Sequence, residues 1–264
     1  MPILVLGVAS FVAWFISMLA GGGSPFILIP LITLFFGAQA VAPVLTTGLL
    51  VGNAQRSLVF WSSVDWLVTA WYLPGAVAGA VLGSYVFTKI QAEWVQPLIA
   101  VALLWMVVDA AWSRRSPQSP TDSHPSDPPE LKSSKPSGIR PWHFGVYGFF
   151  YAFGSGLIGS MGPIMNPLYL NYGLEKERMI ATKSTNVVAV HIIKMLTYAT
   201  LGVFTPTLLA YGLLIGAAAI PANWLGKRVL DRMSSAQFRQ AVLTFVAVSG
   251  VVMLWEQRSL LMIW

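Results

Sequence analysis

The apolar run from Ile3 to Phe36 is the strongest constraint on what this chain can fold into, because its length fits neither one membrane crossing nor two. As continuous helix it would be about 51 Å long, against a hydrocarbon core of about 30 Å. The run breaks at Gly21-Gly22-Gly23-Ser24-Pro25. The piece after the break, Phe26 to Phe36, would cover only about 16 Å as helix. Pro25 can open that helix and Pro30 would bend it. A hairpin that enters the membrane, turns at the glycines near mid-depth and leaves on the same side fits this arithmetic. The competing arrangement is a kinked span followed by a surface piece.

A second break of the same kind lies in the stretch Gly154 to Lys194. Here Gly159-Ser160-Met161-Gly162-Pro163 interrupts an apolar run, and a short apolar piece follows to Leu170. A helix-like segment then carries Lys183, Asn186, His191 and Lys194. The first break is likewise followed by Thr46, Thr47, Asn53 and Arg56. Broken backbone and intramembrane cations are both expensive in lipid, so a function is the expected reason for them.

The rest of the chain agrees with a multi-span membrane protein. It has 264 residues, 56% hydrophobic and 10% charged, where a soluble domain carries about 25% charge. Further spans are expected at Val41 to Trp61, Trp66 to Phe87 and Val95 to Trp112. In the second half they are expected at Ile180 to Leu201, Pro206 to Leu225 and Phe238 to Trp255, after the apolar run Trp142 to Ile158 that leads into the second break. Trp94 and Trp112 suit interface anchors. Gly75, Gly79 and Gly83 share one helix face and are read as packing residues. There is no cysteine, and the three histidines lack metal-ligand spacing, so neither a thiolate site nor a metal or cofactor is expected. The net charge of +6 fits lysines and arginines gathered in cytoplasmic loops better than nucleic-acid binding. Ile3 to Ala20 has no basic lead-in and no small-residue cleavage site, and is read as structure rather than a signal peptide.

Residues 116–138, rich in proline, serine and charge, read as a cytoplasmic linker. They divide the chain into membrane repeats at 1–115 and 139–264. The halves align at a shift of about 137 at the breaks, which sets Gly22 over Gly159 and Pro30 over Pro167. One hairpin and three spans per half give an odd number of crossings, so the halves would be inverted. The expected fold is an all-α integral membrane protein of two inverted repeats, each a glycine-tipped re-entrant hairpin plus three transmembrane helices. With the linker and its Arg114, Arg115, Lys132, Lys135 and Arg140 in the cytoplasm and both termini outside, Lys176, Arg178, Lys227, Arg228, Arg232 and Arg239 are cytoplasmic too, and only Lys89 and Arg258 fall outside.

The GGG…P segment, the GxxGP…P segment and Ala181 to Asn186, ATKSTN, together resemble the TauE/SafE family of membrane permeases. The resemblance covers both halves. It implies a transporter, not an enzyme, in the cytoplasmic (inner) membrane of a bacterium, with sulfite, a sulfonate or a related small sulfur-containing anion as substrate.

On a helical projection of Ile180 to Leu201, Lys183, Val187, Val190 and Lys194 share a stripe, with Asn186 and His191 on its flanks. Lys183, one turn from the start, can snorkel to the interface; Lys194 and His191 cannot do so cheaply. In Val41 to Trp61, Thr46 and Asn53 share a face that Arg56 flanks, and Gln55 points away. No central carboxylate neutralises Arg56 or Lys194. Either they hold an anion or they reach helix-terminal carbonyls and lipid phosphates. Half-helices beginning near Ser24 and Gly162 would offer backbone N–H groups and the positive end of a dipole. The candidate substrate-binding set is therefore Gly22, Gly23, Ser24, Thr46, Asn53, Arg56, Ser160, Met161, Gly162, Lys183, Asn186, His191 and Lys194. The expected activity is secondary transport by alternating access. An anion channel and a membrane-embedded enzyme are the other classes, and the sequence supplies the latter with no clear nucleophile or acid/base set.

Overall fold

The computed structural model describes residues 2–90 and 139–256, and the regular structure among them is helical. The first half contains α1 (Pro2–Leu19), α2 (Ser24–Phe36), α3 (Ala38–Val59), a 3-10 turn at Trp61–Ser63 and α4 (Trp66–Lys89). The second contains α5 (His143–Ile158), α6 (Asn166–Tyr172), α7 (Lys176–Thr200), α8 (Pro206–Leu230) and α9 (Ser235–Glu256). The span expected at Val95 to Trp112, with Trp94, and the linker at 116–138 lie outside the described residues.

The helix boundaries follow from local chemistry. Asp65 caps α4 by accepting from the Val68 N–H at 3.1 Å, and Thr205 caps α8 from Leu208 at 3.3 Å, with Pro206 opening the helix. The first break is a run of three left-handed residues, Gly21, Gly22 and Gly23, with φ of 65°, 130° and 118°. A side chain at any of them would be strained, so only glycine ends α1 and restarts the chain as α2 this abruptly. Gly159 stops α5 with φ 96°. The second half-helix starts later than the sequence suggested. Pro163 lacks an N–H, and the chain instead makes a turn in which Asn166 donates to the Pro163 carbonyl at 2.8 Å. α6 therefore begins at Asn166 rather than near Gly162, and has only 7 residues.

α3 and α7 pack against each other at the centre. α4 packs on α5 and α7, and α8 packs on α1 and α3. These pairings are preserved when α1, α3 and α4 are exchanged for α5, α7 and α8. Gly75, Gly79 and Gly83 explain the α4–α5 approach: a Cβ on any of them would strike the carbonyl of Gly145, Phe149 or Phe153, respectively. Their expected packing role is what the geometry displays.

Two contacts mark one end of the bundle. Arg178, at the start of α7, pairs with Asp65, before α4, at 3.2 Å. Lys227, near the end of α8, lies 5.6 Å over the Phe60 ring, just past α3. Lys176, Arg178, Lys227 and Arg228 thus collect at that end, while Lys89 closes α4 at the other.

Candidate anion site

The two glycine breaks meet around a small cavity of about 30 Å³. Gly21 to Pro25 line it from the first break, and Ser160 and Gly162 from the second. α3 contributes Leu49, Asn53 and Arg56, and α7 contributes Ile180, Lys183, Ser184 and Val187. Trp14 and Ser17 of α1 and Tyr151 of α5 complete the wall. No Asp or Glu among the described residues lines it.

Lys183 joins the breaks. Its ammonium donates to the Gly21 carbonyl at 2.9 Å and to Asn166 Oδ1 at 2.5 Å. Asn166, fully buried at the start of α6, donates in turn to the Ala20 carbonyl at 3.4 Å. Lys183, which the sequence left open between the interface and the site, is held inside by these contacts. The side chain points inward because two acceptors wait there, and one of its three ammonium donors remains for a ligand.

Arg56 is held by neutral partners. Nε donates to Asn223 Oδ1 at 2.7 Å, Nη1 to Ser17 Oγ at 3.2 Å and Nη2 to the Trp14 carbonyl at 2.9 Å. Its guanidinium lies 4.7 Å over the Trp14 ring. Asn223 also donates to Gln55 Oε1 at 2.8 Å, so Gln55 belongs to this network instead of pointing away.

Lys194 is set apart from the cavity. It donates to the carbonyls of Ser155 and Gly159, each at 2.7 Å, and to Ser155 Oγ at 3.2 Å. Arg56 and Lys194 therefore do related things in the two halves. Each sends a cation from the half's third helix onto carbonyls in the C-terminal part of its first, where the negative end of the helix dipole favours it. Of the two readings the sequence left open for these cations, Lys194 shows the helix-terminal one. Arg56 combines that contact with a place in the cavity wall.

The remaining candidates divide in the same way. Asn53 lines the cavity while donating to the Leu49 carbonyl at 2.8 Å. Gly22, Gly23 and Ser24 border it at the start of α2, which has no side-chain cap; the first N–H groups of a helix lack intrahelical partners. Ser160 and Gly162 border it too, and Ser160 Oγ accepts from the Gly162 N–H at 3.3 Å. Thr46 stands outside the wall because its hydroxyl turns back to the Ala42 carbonyl at 2.7 Å. Asn186 donates to the Tyr169 hydroxyl at 2.9 Å on another face of α7. Met161 points into a separate apolar groove with Tyr147 and Phe150. His191 is fully buried one turn beyond Val187, with no partner for either ring nitrogen.

Sequence reasoning missed Trp14, Ser17, Tyr151, Asn166, Ser184 and Asn223. Two left signals. Trp14 lies away from the ends of an apolar helix, off the usual interfacial belt. Asn166 is a polar residue in the short apolar piece just after the Gly162-Pro163 break.

A family model for the sulfite exporter TauE/SafE matches residues 6–253. No curated protein and no solved structure matches the chain. With nearly the whole chain matched, the protein belongs to the TauE/SafE sulfite exporter family, whose members are integral-membrane transporters of small sulfur-containing anions rather than enzymes.

Proposed function

We propose that the protein is a secondary transporter that moves sulfite, a sulfonate or a similar small sulfur-containing anion across the cytoplasmic membrane of a bacterium by alternating access. The cavity carries this reading: Lys183, Arg56 and the uncapped start of α2 face it, and no carboxylate among the described residues lines it. An anion there offsets buried positive charge that otherwise lacks a counter-ion, and it meets the positive end of the α2 dipole. Lys183 supplies a direct donor and Arg56 a second positive field. Gly22 leaves room for the Lys183 ammonium beside the backbone, and the Ser24 and Ser160 hydroxyls add donors.

Two inverted, hairpin-led halves are the frame for this movement. The exchangeable packing of α1, α3 and α4 with α5, α7 and α8 supports it. So does direction: α3 runs toward the basic end and α7 away from it, while α4 and α8 run the opposite way. With that end in the cytoplasm, the linker is inside and the termini outside. Rocking of one half on the other about the α3–α7 contact would expose the site to each side in turn.

Counterflow tests the reading. Liposomes containing the purified protein and loaded with unlabelled sulfite should take up labelled sulfite faster than unloaded ones, and the stimulation should saturate. Flux without stimulation assigns a channel. No flux of sulfite, a sulfonate or thiosulfate removes the substrate class.

A further inference from the structure

Trp14 carries an inference that deepens this reading and rests on it. Its indole Nε1–H has no hydrogen-bond partner although the side chain is fully buried. Buried donors are almost always paired, so an orphan in a native site calls for an explanation. Indole is a donor only and cannot turn itself into an acceptor. The ring is also held in place. The Arg56 guanidinium lies over its face, Arg56 binds the carbonyl of the same residue, and a Cβ on Gly52 would collide with the ring's benzo edge. Trp14 forms part of the cavity wall together with Lys183 and Ser24.

We propose that the Trp14 indole N–H is a substrate-binding donor for an oxyanion whose oxygens only accept hydrogen bonds. The N–H is then a binding contact whose direction the fold already fixes, so the ligand does not have to order it. Lys183 brings charge, and Trp14 brings a neutral donor fixed in direction. Together they favour a fully ionised oxyanion over a ligand that presents its own O–H to the ring nitrogen.

The test is thermal unfolding and sodium sulfite titration of the purified full-length protein and Trp14→Phe. Phe keeps an aromatic face under Arg56 and removes the N–H. The variant should fold but melt lower without ligand, because the smaller ring leaves space in a fully buried site. Its sulfite Kd should rise about tenfold to a hundredfold, as for loss of one hydrogen bond to a charged group. Wild type that shows no sulfite-dependent shift removes sulfite as the ligand of the proposed site, and this inference falls with it. Wild type that binds sulfite, beside a Trp14→Phe protein of equal Kd, overturns this inference alone. If Trp14→Phe does not fold, benzothienylalanine placed at position 14 keeps the bicyclic outline without the N–H. The same rise in Kd is then required, and its absence overturns the proposal.

Discussion

Lys183 and Asn166, seventeen positions apart, are joined by a 2.5 Å hydrogen bond that ties α7 to the start of α6. Because the same ammonium also binds the Gly21 carbonyl, one side chain spans both breaks in the membrane helices. An anion at the cavity competes with those neutral acceptors for Lys183, which makes this lysine the natural link between occupancy and the packing of the two halves.

Lys183→Met keeps length and removes the charge. Sulfite affinity should fall about tenfold to a hundredfold, the effect of one lost charge-assisted contact. Titration of the folded variant measures it, and an unchanged Kd would take Lys183 out of the site.

Asn166→Asp keeps the shape but places a carboxylate against the same ammonium. A close opposite charge competes directly with the anion, so the sulfite Kd should rise at least about tenfold. The Lys183→Met background separates causes. There the introduced carboxylate has no ammonium to neutralise, and most of its further effect on binding should disappear. An equal penalty in both backgrounds would mean that position 166 acts through packing.

Lys194→Met should behave differently from Lys183→Met. It strips the donor from two carbonyls and a hydroxyl at the end of α5. Stability should fall by about 1–3 kcal/mol, while the sulfite Kd of the protein that remains folded stays the same. A changed Kd at unchanged melting temperature would return Lys194 to the binding site.

Gly79→Leu tests the α4–α5 contact. Its Cβ has nowhere to go except into the Phe149 carbonyl, and overpacking of this kind costs about 1–3 kcal/mol. The variant should melt lower and yield less protein. Val77→Leu, on an exposed part of the same helix, should match wild type.

Most of the architecture was legible because it rests on length and on glycine. The Ile3 to Phe36 arithmetic required a break, and the only place cheap enough was Gly21 to Gly23. The cations were legible as well, since lysine and arginine inside apolar helices need a reason. Their partners were not. A helical projection puts Lys183 and Lys194 on one stripe, but which acceptors each reaches depends on where distant segments end. Lys183 turned inward because Ala20 to Gly23 and Asn166 arrive beside it. Lys194 turned to the α5 terminus because that helix stops at Gly159. Asn223 was hidden for a simpler reason: one amide in an apolar helix says nothing until the opposite wall is known.

The cation-capped ends of α1 and α5 also bear on how the chain enters the bilayer. Among the described helices only α4 and α8 are long and apolar enough to cross on composition alone. α7, with Lys183 and Lys194 inside it, is a poor candidate for insertion by itself. The carbonyls that receive Lys194 belong to α5 and the residue that stops it, and the Gly21 carbonyl that receives Lys183 belongs to the first break; both leave the ribosome before α7 does. The Trp14 carbonyl likewise precedes Arg56. α7 is thus translated after the acceptors that make it tolerable, whereas Arg56 in α3 must wait for Asn223 of α8 to complete its set, so the order of synthesis bears differently on the two cation-carrying helices.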